Sequence, residues 1–268
     1  MMAKDLTNPK RIPTRDSTDA LLESGVGQFD NWFFRDGPDK SAVIVMFNGR
    51  NVHRTFETGG KIFNRWTWAE RLRHPTFVLN DPEANNVSNL RLAWYLGIRG
   101  NWGLADLWRQ ADAMIDQVAP GAKRIVLGSS GGGFAAIQSL LKGHASLAFV
   151  INPQTDVRLS PEYDCEKALA HYASGGELGE ADLPVISVSE ALKQRGTNGG
   201  QLIYAQNLSD GRHYRRHFLP FLKSVGEQRP YAPDITTILY DNPDQKHGSP
   251  DLDGTVALFG TPFANLLA

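Results

Sequence analysis

The stretch that decides the fold is Arg124-Ile125-Val126-Leu127-Gly128-Ser129-Ser130-Gly131-Gly132-Gly133-Phe134-Ala135-Ala136. Its first four residues, with three consecutive aliphatics, predict a short strand buried on both faces. Phe134–Leu141 predicts a helix that follows at once. Between them stands the pentad Gly128–Gly132, a G-x-S-x-G pattern centred on Ser130. The bare pattern is a weak signal in a chain with 26 glycines. Its setting between strand and helix is what the nucleophile elbow requires. The reason is steric: a sharp turn brings neighbouring backbone close, so the residues two before and two after the serine must be tiny, and Gly128 and Gly132 are. At the helix start, the N–H of Gly131 can point at a developing oxyanion. A dinucleotide loop needs G-x-G-x-x-G and a P-loop ends in Gly-Lys-Ser/Thr, and neither pattern is here.

Outward from this stretch the chain alternates. Ser41–Phe47 (SAVIVMF) predicts a buried strand ending at Asn48-Gly49, and Thr76–Leu79 a second ending at Asn80-Asp81-Pro82. Gly103–Ala119 carries Leu104, Leu107, Trp108, Ala111, Met114, Ile115 and Val118 at steps of three and four, one stripe of a helix. Pro120-Gly121 ends it. Downstream, Leu147–Ile151, Leu202–Ala205 and Ile235–Tyr240 read as strands, with a helix over Phe218–Val225. The aromatic stretch Phe29–Phe34 precedes Asp36-Gly37, a turn signal between two strands. Repeated strand–helix–strand units predict a mostly parallel sheet covered on both faces, with its site at the carboxyl ends of the strands.

Composition narrows the function classes. The 268 residues are 41% hydrophobic and 21% charged, with a net charge of −1. That balance is globular and gives no broad footprint for nucleic acid. The single cysteine, Cys165, cannot form an internal disulfide or a thiolate zinc site alone. No apolar run reaches membrane-spanning length, and MMAKDLTNPKRIPTRDS lacks the apolar core of a secretory signal. A cytoplasmic protein is expected. Residues 1–25, polar and with two prolines, read as a loosely docked arm with a short helix near Ala20–Glu23, and 26–268 as the folded domain.

On the elbow, the chain resembles the α/β-hydrolase superfamily over roughly residues 30 to 265. The resemblance implies an α/β-hydrolase fold and a triad in the order Ser, Asp or Glu, His. Asp210 stands in the loop after Leu202–Ala205, and His247 in the loop after Ile235–Tyr240. Ser130 needs a base to take its proton. His247 can do so near neutral pH, and a carboxylate, Asp210, must orient the imidazole. Asp156, after the fourth strand, competes for the acid. His213 and His217 compete for the base, though RHYRRH looks like the exposed start of a basic helix. The superfamily's second oxyanion donor comes from the loop Phe47-Asn48-Gly49-Arg50. This makes the N–H of Arg50 the candidate, with Asn48 replacing the usual histidine.

The implied reaction is acyl transfer on a small-molecule ester or acyl sugar, carboxylesterase-like, with no metal or organic cofactor. An acyltransferase, a peptidase or amidase, and a non-catalytic hydrolase-like binding module are the alternatives. Leu79-Asn80-Asp81-Pro82 and Asn89–Gly97, containing Trp94-Tyr95-Leu96-Gly97, are similar to segments of hydrolase-like proteins of bacterial surface-polysaccharide clusters. Trp94, Tyr95 and Trp102 are then either core aromatics or a sugar-stacking platform. Asn152 to Gly200, with helical stretches at Pro161–Ser174 and Ser189–Arg195, reads as a small cap over the pocket, from which Arg158, Tyr163 and His171 could reach substrate.

Overall fold

The computed structural model describes residues 12–50, 61–86, 90–160, 163–194, 200–228 and 232–268. A hairpin, β1 (Val26–Phe29) and β2 (Trp32–Arg35), leads into β3 (Ala42–Phe47) and β4 (Thr76–Leu79). A two-stranded ribbon, β5 (Gly97–Ile98) and β6 (Asn101–Trp102), precedes β7 (Lys123–Ser129), β8 (Leu147–Ile151), β9 (Gln201–Asn207) and β10 (Asp234–Tyr240). The main sheet has eight strands in the order β1-β2-β4-β3-β7-β8-β9-β10. From β4 to β10 every pairing is parallel, and the β1–β2 and β2–β4 pairings are antiparallel.

Both faces are covered, as the continuous apolar runs predict. In β3, Val43, Val45 and Phe47 join one core, with Trp108 and Phe134 of the helices Gly103–Val118 and Gly131–Leu141. Ile44 and Met46 join the other, with Phe149, Phe259 and Phe263. The Gly103–Val118 stripe buries Leu104, Leu107, Trp108, Ala111, Met114 and Ile115. Register then decides where the loops emerge. Phe47 pairs with Gly128, Ser129 with Ile151, Ile151 with Ala205, and Asn207 with Tyr240. The loops that begin at residues 48, 130, 152, 208 and 241 therefore leave one edge of the sheet together. Among the described residues no helix is long and apolar enough to cross a membrane.

Three expectations change. The hairpin turn is Asp30-Asn31, with Asp30 at φ +46°, so Phe29–Phe34 spans it, while Asp36-Gly37 lies between β2 and β3 as expected. Residues 12–25 are docked rather than loose: Ile12 and Leu21 are buried, and the helix runs Thr18–Ser24 with Ser17 as its cap. Residues 1–11 lie outside the described residues. The 152–200 insertion contains the helices Tyr163–Ala173, Leu183–Ile186 and Val188–Lys193. It packs alongside the elbow helix, where Gln138 Nε2 donates to the carbonyl of Pro184 at 2.9 Å. None of its described residues lines the cleft beside Ser130. Arg158 pairs with Asp156 and His171 with Glu83, while the side chain of Tyr163 lies outside the described residues.

Candidate active site

Ser130 sits at the turn from β7 into the helix Gly131–Leu141, with φ +52° and ψ −126°. That conformation is costly for a residue with a side chain. It persists because the turn is closed by its surroundings. The carbonyl of Ser130 accepts from Phe134 N at 3.1 Å and Gln154 N at 3.0 Å. A Cβ on Gly128 would fall 2.2 Å from the carbonyl oxygen of Gly132, and one on Gly132 would fall 2.4 Å from that of Phe47. Both contacts are with backbone, so alanine at either position would force the turn or β3 to move.

The β10 loop brings His247 over this serine. Its Nε2 is 2.9 Å from Ser130 Oγ, and its Nδ1 is 2.7 Å from Asp210 Oδ2. With the carboxylate at Nδ1, the proton of a neutral imidazole belongs there, which leaves Nε2 as an acceptor for the serine hydroxyl. Asp210 caps the short helix Gly211–His213 and is buried. Burial pushes its carboxyl pKa up, but hydrogen bonds from His213 and His247 and their charge outweigh it, holding the group well below the usual carboxylate range.

Asn207 and Asn152, which the sequence reading did not single out, fix the loop that carries His247. Asn207 Nδ2 donates to the carbonyls of Asn242 and Lys246, each at 2.8 Å, and its Oδ1 accepts from Asn242 N at 2.9 Å. Asn152 Oδ1 accepts from Asn207 N at 2.7 Å. Both asparagines are buried at strand ends. An amide at the carboxyl end of an otherwise apolar strand is the one sequence signal that points to them.

The competing residues separate clearly. His213 and His217 are not exposed: they are 6% and 0% accessible. His213 Nδ1 lies 3.1 Å from Asp210 Oδ1 and 2.9 Å from Oδ2, and its ring stacks on that of His247 with centroids 3.8 Å apart. Asp210 thus holds two imidazoles. His217 lies behind His213 with ring centroids 5.0 Å apart, and its Nδ1 accepts from Thr155 N at 3.1 Å. Asp156 is taken by Arg158, whose Nε and Nη2 donate at 2.9 and 2.5 Å. Asp210, His213 and His247 also offer ligand atoms within 4.8 Å of one another, a donor set that zinc accepts. Both Nδ1 atoms of that set are already engaged with the carboxylate.

The loop Asn48-Gly49-Arg50 crosses the serine so closely that a Cβ on Gly49 would lie 3.5 Å from Ser130 Cβ. Tyr95 holds this loop: its Oη accepts from Asn48 N at 2.7 Å and donates to the Leu79 carbonyl at 3.0 Å. Asp81 in turn accepts from Ala93 N at 2.6 Å, fixing the bend in which Trp94 and Tyr95 take φ +52° and +58°. Both rings are fully buried, so these two are core and not a sugar platform. Asn89 and the side chain of Trp102 lie outside the described residues. The site opens into a cleft of about 480 Å³, the size of a small-molecule pocket. It is lined by Gly49 and Arg50, by Asn64, Arg65, Thr67 and Trp68, and by the segment from His247 to Asp251.

No protein-family model matches the chain, and no curated protein does. Solved structures do. The capsule O-acetyltransferase of Neisseria meningitidis serogroup A superposes with a TM-score of 0.59 at 14% identity, over 90% of this chain and 94% of that one. A histidine-to-alanine mutant of the same enzyme, in complex with CoA, gives 0.58 at 12% identity, over 89% and 94%. A post-proline cleaving enzyme from Rickettsia typhi gives 0.58 at 15% identity, over 88% of this chain but only 35% of its own. The meningococcal enzyme is matched almost end to end, the peptidase over about a third of its length. With a six-stranded parallel run, an elbow after its third member and helices on both faces, this chain has the α/β-hydrolase fold.

Proposed function

We propose that the protein is a serine enzyme of acyl transfer, acting on a small-molecule ester through a covalent intermediate on Ser130. The observation that carries this reading is the unbroken chain Ser130 Oγ, His247 Nε2, His247 Nδ1, Asp210 Oδ2 at 2.9 and 2.7 Å. Ser130 Oγ attacks the ester carbonyl carbon while its proton passes to His247 Nε2. The tetrahedral oxyanion is met by the N–H of Gly131 and, from the Asn48–Arg50 loop, the N–H of Arg50. Collapse breaks the carbon–oxygen bond, and the imidazolium returns the proton to the departing alkoxide. A water, deprotonated by the same nitrogen, then releases the acid and restores Ser130. Asp210, ionised and buried, stabilises the imidazolium in both halves.

A second reading differs only in the acceptor: a sugar or other alcohol in place of water. The near end-to-end superposition on a capsule O-acetyltransferase favours it. Ser130→Ala is expected to abolish labelling by a fluorophosphonate probe and cut turnover of aryl acetates by about 10³-fold or more, with an unchanged circular dichroism spectrum. Undiminished labelling in that variant refutes the mechanism. Product that forms only when a carbohydrate acceptor is added assigns the transferase reading over the esterase.

A further inference from the structure

Arg65 is the feature of the cleft that the acyl-transfer chemistry does not use. It precedes the short helical turn Trp66–Glu70 and takes φ +65°, a left-handed conformation unusual for a residue with a long side chain. The strain is held from below: Asn64 N donates to Asn48 Oδ1 at 2.8 Å, Asn48 Nδ2 donates to the Ile62 carbonyl, and Trp68 N donates to the Arg65 carbonyl at 2.9 Å. The result is a guanidinium fixed on the cleft wall next to the nucleophile. Its Nη2 donates to Ser129 Oγ at 2.8 Å, one residue before Ser130, and its Cζ stands 5.2 Å from the ring centre of Trp68.

Among the described residues no carboxylate lies within ion-pair distance of Arg65, and its contacts are a neutral hydroxyl and an aromatic face. Among the described residues lining the cleft the one carboxylate is Asp251, which is engaged with the backbone of the helix it caps, accepting from Gly254 N at 2.8 Å. Burial draws the guanidinium pKa down to about 10, the mark of a cation that its own protein leaves short of solvation. A half-buried cation with no anion among the described residues is stabilised by a ligand that brings one. Guanidinium is matched to planar or tetrahedral oxyanions, which it grips through two parallel hydrogen bonds.

We propose that Arg65 is a specificity residue, the anchor for an anionic oxygen group, carboxylate or phosphate, carried on the substrate close to the scissile ester. The site itself is defined by Arg65, Ser129 and Trp68; that its ligand is a substrate rests on the acyl-transfer reading above.

The test measures dissociation constants of benzoate, phenyl phosphate and neutral benzamide by ligand-observed NMR, on the intact chain and on Arg65→Gln and Arg65→Lys. The same three compounds are then used to protect Ser130 from the fluorophosphonate probe. At least one anion should bind about tenfold or more tighter than benzamide to the native protein. That ratio should collapse toward one in Arg65→Gln and persist in part in Arg65→Lys. Each ratio is internal to one variant, so a change in basal reactivity does not disturb it. Benzoate and phenyl phosphate distinguish the two sources of the anion. Protection at Ser130 by whichever binds locates it in the cleft. Equal binding of all three to the native protein, or a preference that survives Arg65→Gln, overturns the proposal. So does a preference abolished by Arg50→Gln alone. If Arg65→Gln does not fold, the native ratio and the Arg65→Lys ratio still decide. Anion preference at Arg65 with no labelling of Ser130 refutes the acyl-transfer reading and leaves the anion site standing.

Discussion

Asp156 and Asp210 begin as equals: each follows a strand of the parallel sheet, each is largely buried, and each caps a short helical turn. Their neighbours make them different. Asp156 is gripped by the guanidinium of Arg158, two residues along the same turn, which satisfies both its oxygens. Among the described residues no arginine pairs with Asp210; it faces two imidazoles, one three residues on and one brought in from the far side of β10. A buried carboxylate must find a cation or donors. Where a permanent cation sits beside it, the pair is structural. Where only titratable rings are available, the carboxylate instead sets their tautomer and charge, which is what a general base needs.

Exchanging charge for shape at each aspartate breaks this comparison most directly. Asp210→Asn should lower turnover by up to about 10⁴-fold, because an amide no longer enforces the Nδ1–H tautomer or stabilises the imidazolium. Asp156→Asn should leave turnover within about threefold. It should cost stability instead, about 1 kcal/mol, since Arg158 is partly exposed and the pair is correspondingly weakened by solvent. Steady-state rates and urea midpoints on both variants give the answer. A crippled Asp156→Asn beside a near-normal Asp210→Asn would reverse the assignment.

A smaller effect sharpens what it means for one carboxylate to hold two imidazoles. His213 gives Asp210 a second donor and gives His247 a flat neighbour 3.8 Å away. His213→Gln retains an N–H for the carboxylate but loses the stacked ring, and His213→Phe does the reverse. Losing one net hydrogen bond is worth about 1 kcal/mol, so His213→Phe should cost about fivefold in kcat with KM nearly unchanged. If His213→Gln is the slower of the two, ring stacking and not the hydrogen bond is what positions His247. Normal kcat in both variants would make His213 a packing residue only.

The elbow was legible because its constraint is local. Gly128 and Gly132 lie four residues apart and collide with backbone if given a side chain, so the pentad carries its own geometry. Asp210 and His247 could be assigned as candidates because loop order along a parallel sheet translates directly into position along its edge. His213 and His217 were misread because the arginines of RHYRRH suggested solvent. Their spacing of four, with Asp210 three residues before the first, marks one shared helical face, and the basic residues occupy the other. Arg65 left no signal in the sequence, and the Asn207–Asn152 pair left only an amide at a strand's end. Their roles arise from contacts with residues 64 and 55 positions away, which a local pattern does not specify. The described residues of the 152–200 insertion do not line the cleft, and an insertion's length says nothing of where it packs.

The weakest effect expected on catalysis, and the clearest on acid stability, belongs to His217. Burial first, then the neighbouring charges of His213 and His247, draw its imidazole down to about 3, while in the unfolded chain it titrates near the ordinary histidine value of about 6.5. Between those two values the unfolded chain binds a proton that the folded one refuses, so stability falls as pH is lowered through this window, by up to about 1.4 kcal/mol per pH unit. Asp210 acts in a lower window. Its carboxyl is depressed on folding, so its contribution is complete above about pH 4 and is lost only below. The two can therefore be told apart between pH 4 and 6.5. His217→Gln can keep an acceptor for Thr155 N yet does not titrate. At pH 7.5 it should be less stable than the native protein by about 1–2 kcal/mol, through lost packing. At pH 5 the gap should shrink by about 2 kcal/mol, from one and a half units of relieved titration. Urea denaturation at pH 7.5, 6 and 5 measures this, and a stability difference that does not change with pH would mean His217 binds its proton in the folded protein as readily as in the unfolded chain.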